Sequence, residues 1–69
     1  MRPGPVEAEI VSYDDHRGDG WLSVEGEQVW FHCTQIADGS RTIPEGAWVT
    51  ATLAPGLLGR LEAHAIRQR

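Results

Sequence analysis

The segment from Arg17 to Cys33, RGDGWLSVEGEQVWFHC, concentrates side chains whose chemistry could serve a ligand. The indole rings of Trp21 and Trp30 each present a flat π surface that can stack on another planar ring. His32 adds a ring that can stack or form a hydrogen bond, and Cys33 adds a thiol. A catalytic thiol needs an activating base. Because no motif supplies that base, we interpret the lone cysteine as a packing residue.

Potential metal ligands are poorly spaced. The acidic turn DDH at 14–16, with Asp19 nearby, lacks the alternating ligand positions of a calcium loop. No CxxC or HxxxH spacing supports zinc. A zinc site would have to assemble from His16, His32, Cys33 and His64. Since no glycine-rich phosphate loop leads into a helix either, we expect no metal, no cofactor, no small-molecule substrate and no enzymatic activity.

Composition indicates one small globular domain. The chain has 69 residues, 41% of them hydrophobic, and a formal net charge of −4. We expect a single domain over 1–69 with a flexible start at 1–5. The negative charge argues against strong, non-specific binding to duplex DNA, which depends on neutralising phosphates. The lone cysteine and the lack of a signal-like or membrane-length apolar run favour a cytoplasmic protein with no membrane partner.

Glycine and proline interrupt the chain at short intervals, which is typical of a small all-β barrel or sandwich. A helical turn is expected near 34–36, inside a long connection at 34–44. Gly26 can supply the positive φ of a short hairpin between the second and third strands. Strands are predicted at about 7–13, 20–24, 28–32, 47–54 and 61–67.

Alternation along the second and third strands separates aliphatic residues from tryptophans. Trp21 and Trp30 fall on one partly exposed face, on neighbouring strands. They could form a platform for a flat ligand, or a cross-strand pair that stabilises the sheet by about 0.2–1 kcal/mol without one. Trp48, in the fourth predicted strand, is expected to cover the barrel end. The opposite face, expected to form the core, carries Leu22, Val24, Val29 and Phe31.

These residues resemble the two aromatic motifs of the cold-shock domain. A basic residue followed by Gly-aromatic-Gly-aromatic-aliphatic is matched by RGDGWL at 17–22, and the second motif is matched by VWFHCTQI at 29–36. The resemblance extends over about 6–66 and implies an all-β, five-stranded antiparallel OB-type barrel with Greek-key topology. Smaller matches are DG at 38–39, IPEGAWV at 43–49 and EAHAI at 62–66.

The resemblance implies a non-enzymatic protein that binds single-stranded RNA or DNA. Its family role would be RNA chaperoning or modulation of transcription or translation. In such sites bases stack on aromatic side chains, each contributing about 1–3 kcal/mol by alanine substitution, while cations meet phosphates. The residues that the resemblance assigns to binding are Tyr13, Arg17, Trp21, Gln28, Trp30, His32 and Arg60.

The chain also departs from the family motifs. Asp19 replaces a central aromatic of the first motif and adds negative charge, and Val11 replaces a common lysine. Other family aromatics are replaced by Ser12, Cys33 and Ser40. These losses keep a second hypothesis open: a cold-shock-type barrel adapted to protein contact or self-association, with little affinity for nucleic acid.

Overall fold

The computed structural model describes residues 2–56 and 59–69. All five predicted strands are confirmed, although β1 begins at Gly4 rather than near residue 7. No helix in this described part of the chain is long and apolar enough to cross a membrane. The elements are β1 (Gly4–Asp14), β2 (Asp19–Val24), β3 (Glu27–His32), a 3-10 helix (Cys33–Gln35), β4 (Trp48–Pro55) and β5 (Leu61–Gln68).

The strands close into a barrel in the order β1-β2-β3-β5-β4. β1 is long enough to serve two neighbours, because residues 4–9 pair with β4 and residues 9–14 pair with β2. The predicted OB-type barrel is confirmed with one change: β3 and β5 pair in parallel, through Trp30 and Glu62. Directions cannot alternate all the way around a closed ring of five strands, so one interface must be parallel.

Period-two alternation fills the barrel with aliphatic side chains. The predicted core face of β2 and β3 is confirmed, since none of its four residues is more than 6% exposed. The largest fully buried side chains are Phe31, Ile10, Leu22, Leu53, Ile66 and Val49.

Trp48 does not cover the barrel end, so the packing role predicted for it is wrong. Its side chain is 58% exposed. β4 alternates, with Val49, Ala51 and Leu53 buried. Because Trp48 is out of phase with those residues, its indole lies on the outer surface.

Two local features position β2 against its neighbours. The β2–β3 hairpin turns through Glu25 and Gly26, whose φ values of 51° and 86° are both positive. Such a two-residue turn matches the twist of the paired strands, as Gly26 predicted. At Gly20, a Cβ would collide with the carbonyl oxygen of Ser12 and lie 3.0 Å from Cζ of Phe31. The glycine at this position therefore lets β1 and β2 approach closely next to Trp21.

The long connection between β3 and β4 is tied to the barrel by apolar residues. It begins with the 3-10 helix Cys33–Gln35, which confirms the predicted helical turn one residue early. Ile36 and Ile43 are both buried in the core. The side chain of Thr42 also donates a hydrogen bond to Asp15, 3.1 Å away, which links the connection to the β1–β2 turn.

Candidate nucleic-acid interface

Three rings lie on the outer face of the β2–β3 hairpin, and we call Trp21, Trp30 and His32 the platform. Trp21 and Trp30 are direct cross-strand partners. Trp21 is 37% exposed, while Trp30 and His32 are half-buried. The ring centroids of Trp30 and His32 are 6.1 Å apart, with their planes inclined by 47°. The hairpin thus presents adjacent aromatic surfaces to solvent.

Asp19 links the platform to a cation. Its Oδ2 accepts a hydrogen bond from Nε1 of Trp30 at 3.2 Å and one from Nη2 of Arg17 at 3.0 Å. The side chain of Asp19 is 16% exposed and that of Arg17 is 69% exposed. The carboxylate therefore fixes the Trp30 indole and offsets part of the positive charge that Arg17 could offer to a phosphate.

The turn between β1 and β2 sets the backbone of Arg17. Oδ1 of Asp14 accepts hydrogen bonds from the backbone N–H of Arg17 at 3.1 Å and of His16 at 2.9 Å. These bonds hold the pKa of Asp14 below its ordinary value, and the bond from Arg17 is the largest cause of the shift. Gly18 closes the turn by donating its N–H to the carbonyl of Asp14 at 2.8 Å. The backbone from which the Arg17 side chain extends is therefore held in place by hydrogen bonds.

His32 ends β3 and caps the 3-10 helix. Its Nδ1 accepts a hydrogen bond from the backbone N–H of Thr34 at 3.2 Å and lies 3.0 Å from the hydroxyl of the same residue. Since Nδ1 accepts from a backbone donor, the neutral ring carries its proton on Nε2. Nε2–H is then a donor that does not serve this cap.

Tyr13 is not one of the platform rings and packs against the core. Its ring stacks on buried Phe31, with centroids 5.8 Å apart and planes 6° apart. Its hydroxyl donates to the carbonyl of Arg41 at 2.6 Å, and partial burial raises the pKa of this hydroxyl. Tyr13 pairs with Gly20, whereas Ser12 pairs with Trp21. Tyr13 lines one cavity together with Trp21, but its ring packs on Phe31, and its role in stacking on a base stays a prediction.

The two remaining assigned residues differ in placement. Gln28 is exposed and shares the face of Trp30, two residues away on β3 and opposite Ser23 of β2. Arg60 is exposed in the β4–β5 connection, where its carbonyl accepts the N–H of Gly56 at 2.6 Å. Among residues 2–56 and 59–69, no hydrogen bond or ion pair joins the Arg60 side chain to the platform. The residues brought together are Arg17, Trp21, Gln28, Trp30 and His32.

A shallow cavity of about 240 Å³ adjoins Trp21 on the side of β1. Ser12, the partner of Trp21 in the ladder, contributes to its wall together with Asp19 and Arg17. Two positions where the family carries aromatics thus border open space. Both substitutions are visible in the sequence, but the cavity is not, because a missing ring leaves space only where no other side chain moves in.

Cys33 is buried, as expected for a packing residue. Its sulfur lies 3.8 Å from Nδ1 of His32 and is the atom that a Cβ at Gly18 would approach to 3.0 Å. Within the described ranges, no group of three or more His, Cys, Asp or Glu side chains is placed to hold a metal ion.

Comparison with known proteins relates the chain to others by fold. No family model and no curated protein matches its sequence. Among solved structures it is similar to the Drosophila Unr cold-shock domains CSD456, with a TM-score of 0.78 and 27% identity. The match covers 94% of this chain and 26% of that longer chain. The barrel therefore has the fold of a cold-shock domain, and the resemblance seen in the sequence is confirmed.

Proposed function

We propose that this protein binds single-stranded RNA or DNA through the platform and catalyses no reaction. The observation that carries the proposal is the cross-strand pair of Trp21 and Trp30 on the outer face of the hairpin. Successive bases of a single strand expose flat faces, and each stacked base contributes about 1–3 kcal/mol. Two neighbouring indoles suit two such bases.

Charge limits the strength of this binding. Arg17 is the cation nearest the platform, and it is already paired with Asp19 at 3.0 Å. A phosphate must therefore share the guanidinium of Arg17 with that carboxylate, or displace the carboxylate from it. Each phosphate neutralised on a single strand adds about 0.7 to the slope of log affinity against log salt, so we expect a shallow salt dependence.

Base preference in this proposal is modest because stacking reads few base edges. Gln28, on the face of Trp30, and the Nε2–H of His32 could each form a hydrogen bond with a stacked base. The family role would be to keep RNA strands open, or to modulate transcription or translation, in the cytoplasm.

A second candidate function is protein contact or self-association through the same platform. It is favoured by the carboxylate of Asp19 beside the indoles and by the open space at Ser12. An apolar pair of rings next to a neutralised arginine suits a protein surface as well as a base.

Fluorescence titration separates the two candidates. In a Trp48→Phe background the emission reports Trp21 and Trp30 alone. Short oligo-dT or oligo-U should quench it saturably, and added salt should weaken the effect. The matched variant Trp30→Ala should lose most of the affinity while circular dichroism stays that of a folded barrel.

Two results would contradict the proposal. One is the absence of quenching at millimolar oligonucleotide. The other is oligonucleotide affinity that survives removal of both indoles. Sedimentation of the free protein adds a direct test of the second candidate, because a dimer that dissociates in Trp21→Ala would assign the platform to self-association.

A further inference from the structure

A second exposed indole lies on another part of the barrel's outer surface. Trp48 begins β4 and is the most exposed large hydrophobic side chain in the described part of the chain, at 58%. Glu9 of β1 is its direct partner in the ladder, and Ser23 of β2 is the partner of Glu9 on the other side. These three residues form a row across three strands.

A cavity of about 970 Å³ runs beside this row, and we call it the acidic groove. Its lining includes three carboxylates, from Glu7, Glu9 and Glu25, and one guanidinium, from Arg2. The N-terminal prolines and the indole of Trp48 supply its apolar wall. Arg69, outside the lining, pairs with Glu7, so three carboxylates against two guanidiniums leave the acidic groove one net negative charge.

The chain already seats one guanidinium at this groove. Nη1 of Arg69 donates a hydrogen bond to Oε1 of Glu7 in an ion pair. The backbone N–H of Arg69 donates to the carbonyl of Trp48 at 2.9 Å. Within residues 2–56 and 59–69, Glu9 and Glu25 form no ion pair. Neither carboxylate is therefore paired with a cation of this part of the chain, although Arg2 also lines the groove.

We propose that the acidic groove binds an extended, arginine- and lysine-rich segment of a partner protein. One cation of that segment lies on the face of Trp48, and others meet Glu9 and Glu25. Tryptophan is the aromatic ring that attracts a cation most strongly, and arginine is the cation found most often on it. Charge complementarity selects this occupant, since a nucleic acid would bring phosphates to carboxylates and a second copy would bring its own net charge of −4.

The test uses a synthetic Arg-Gly repeat peptide as the probe and a Gln-Gly repeat of equal length as its control. Calorimetric titration of the full chain should give saturable binding with the first peptide and none with the second. Trp48→Ala should weaken binding by about 2–5-fold or more, which corresponds to the roughly 0.5–1 kcal/mol of an exposed cation–π contact.

The carboxylates have a matched control on the chain. Glu9→Gln should weaken binding up to about 5-fold, as expected for the loss of one exposed ion pair. Glu27→Gln makes the same change of charge on β3, outside the groove lining, and should leave the affinity unchanged. Equal weakening in both variants would overturn the proposal, because attraction would then depend on net charge and not on the groove.

Three further results would overturn it. The first is an Arg-Gly affinity that Trp48→Ala does not change. The second is a dimer in sedimentation that dissociates in Trp48→Ala, because the occupant would then be a second copy. The third is oligo-dT binding that persists without Trp21 and Trp30 and is lost on removing Trp48, which would assign the groove to nucleic acid. The first two results do not depend on whether the platform binds single strands, whereas the third would overturn both proposals.

Discussion

The platform and the acidic groove both present tryptophan to solvent, and they differ in what surrounds the ring. At the platform, the indole N–H of Trp30 and the guanidinium of Arg17 share one carboxylate, that of Asp19. At the groove, Trp48 is the ladder partner of Glu9, which forms no ion pair within the described residues. The indole supplies contact area in both places, so the neighbouring charges select the partner.

The two regions also differ in how firmly each indole is held. Trp30 is half-buried and donates a hydrogen bond at 3.2 Å. Trp48 is 58% exposed, and only its backbone carbonyl accepts the bond from Arg69. A pre-positioned ring loses less freedom when a base stacks on it. A more exposed ring leaves its face open to a cation.

The largest effect should come from removing both platform indoles. Trp21→Ala with Trp30→Ala deletes two stacking surfaces worth about 2–6 kcal/mol together, so oligo-dT affinity should fall at least about 30-fold. Trp48→Ala is the control and should leave that affinity unchanged. Calorimetry measures both. An equal loss in the control would erase the distinction between the two regions.

A smaller effect, in the opposite direction, should follow from neutralising Asp19. Asp19→Asn keeps an oxygen that can accept the indole N–H of Trp30 but releases Arg17 for phosphate. Oligonucleotide affinity should rise up to about 5-fold, with a salt slope steeper by about 0.7. Glu25→Gln makes the same change of charge at the acidic groove and should have little effect. If both variants gain equally, long-range charge and not the local ion pair limits binding.

Acid should loosen the turn that carries Arg17. The backbone N–H groups of Arg17 and His16 lower the pKa of Asp14 in the folded state from an ordinary 3.8. A lowered folded-state pKa stabilises the protein above pH 3.8, and that contribution is lost as pH falls through the folded value. Thermal melts should therefore show stability declining below about pH 4. Asp14→Asn keeps the acceptor oxygen and should make the decline shallower, whereas an equally steep decline would show that this turn is not its source.

The smallest effect should be that of Trp48→Ala on stability. A side chain exposed to this degree contributes little to the core, so the free energy of unfolding should change by no more than about 0.5 kcal/mol. Urea unfolding measures this change. A loss above about 1 kcal/mol would restore the packing role that the sequence suggested for Trp48 and weaken its assignment to a partner.

Much of the fold was predictable because successive side chains of a β-strand point to opposite faces of the sheet. The alternation of Leu22 and Val24 with Trp21 fixes which way the indole points, and Gly26 marks the hairpin that makes Trp21 and Trp30 partners. The same pattern was present in β4, where Val49 and the next buried residues imply that Trp48 faces outward. The wrong prediction that Trp48 covers the barrel end came from expecting a tryptophan to be buried, since the alternation of β4 already indicated an exposed position.

Other features had no local signal. The ladder between β1 and β2 shifts register between Ile10 and Ser12. That shift sets Ser12 rather than Val11 opposite Trp21, and a bulge of this kind depends on how two strands fit. In β5, Ala65 adopts a φ of 52°, and Ile66 is buried three residues after Ala63. Alternation of buried and exposed residues therefore predicts neither the partner of Trp21 nor the burial of both Ala63 and Ile66.

The sequence by itself determined the strands, the core face and the two rings of the hairpin, because each depends on residues close together in the chain. Only the tertiary structure decided that Asp19 holds both Arg17 and Trp30, and that β4 sets Trp48 against Glu9 of β1. The bonds of Asp19 depend on how the β1–β2 turn and the β2–β3 hairpin place their side chains. The contact of Trp48 with Glu9 requires β1 and β4 to pair, and no local pattern links those two segments. The chemistry of both surfaces therefore depends on which strands become neighbours.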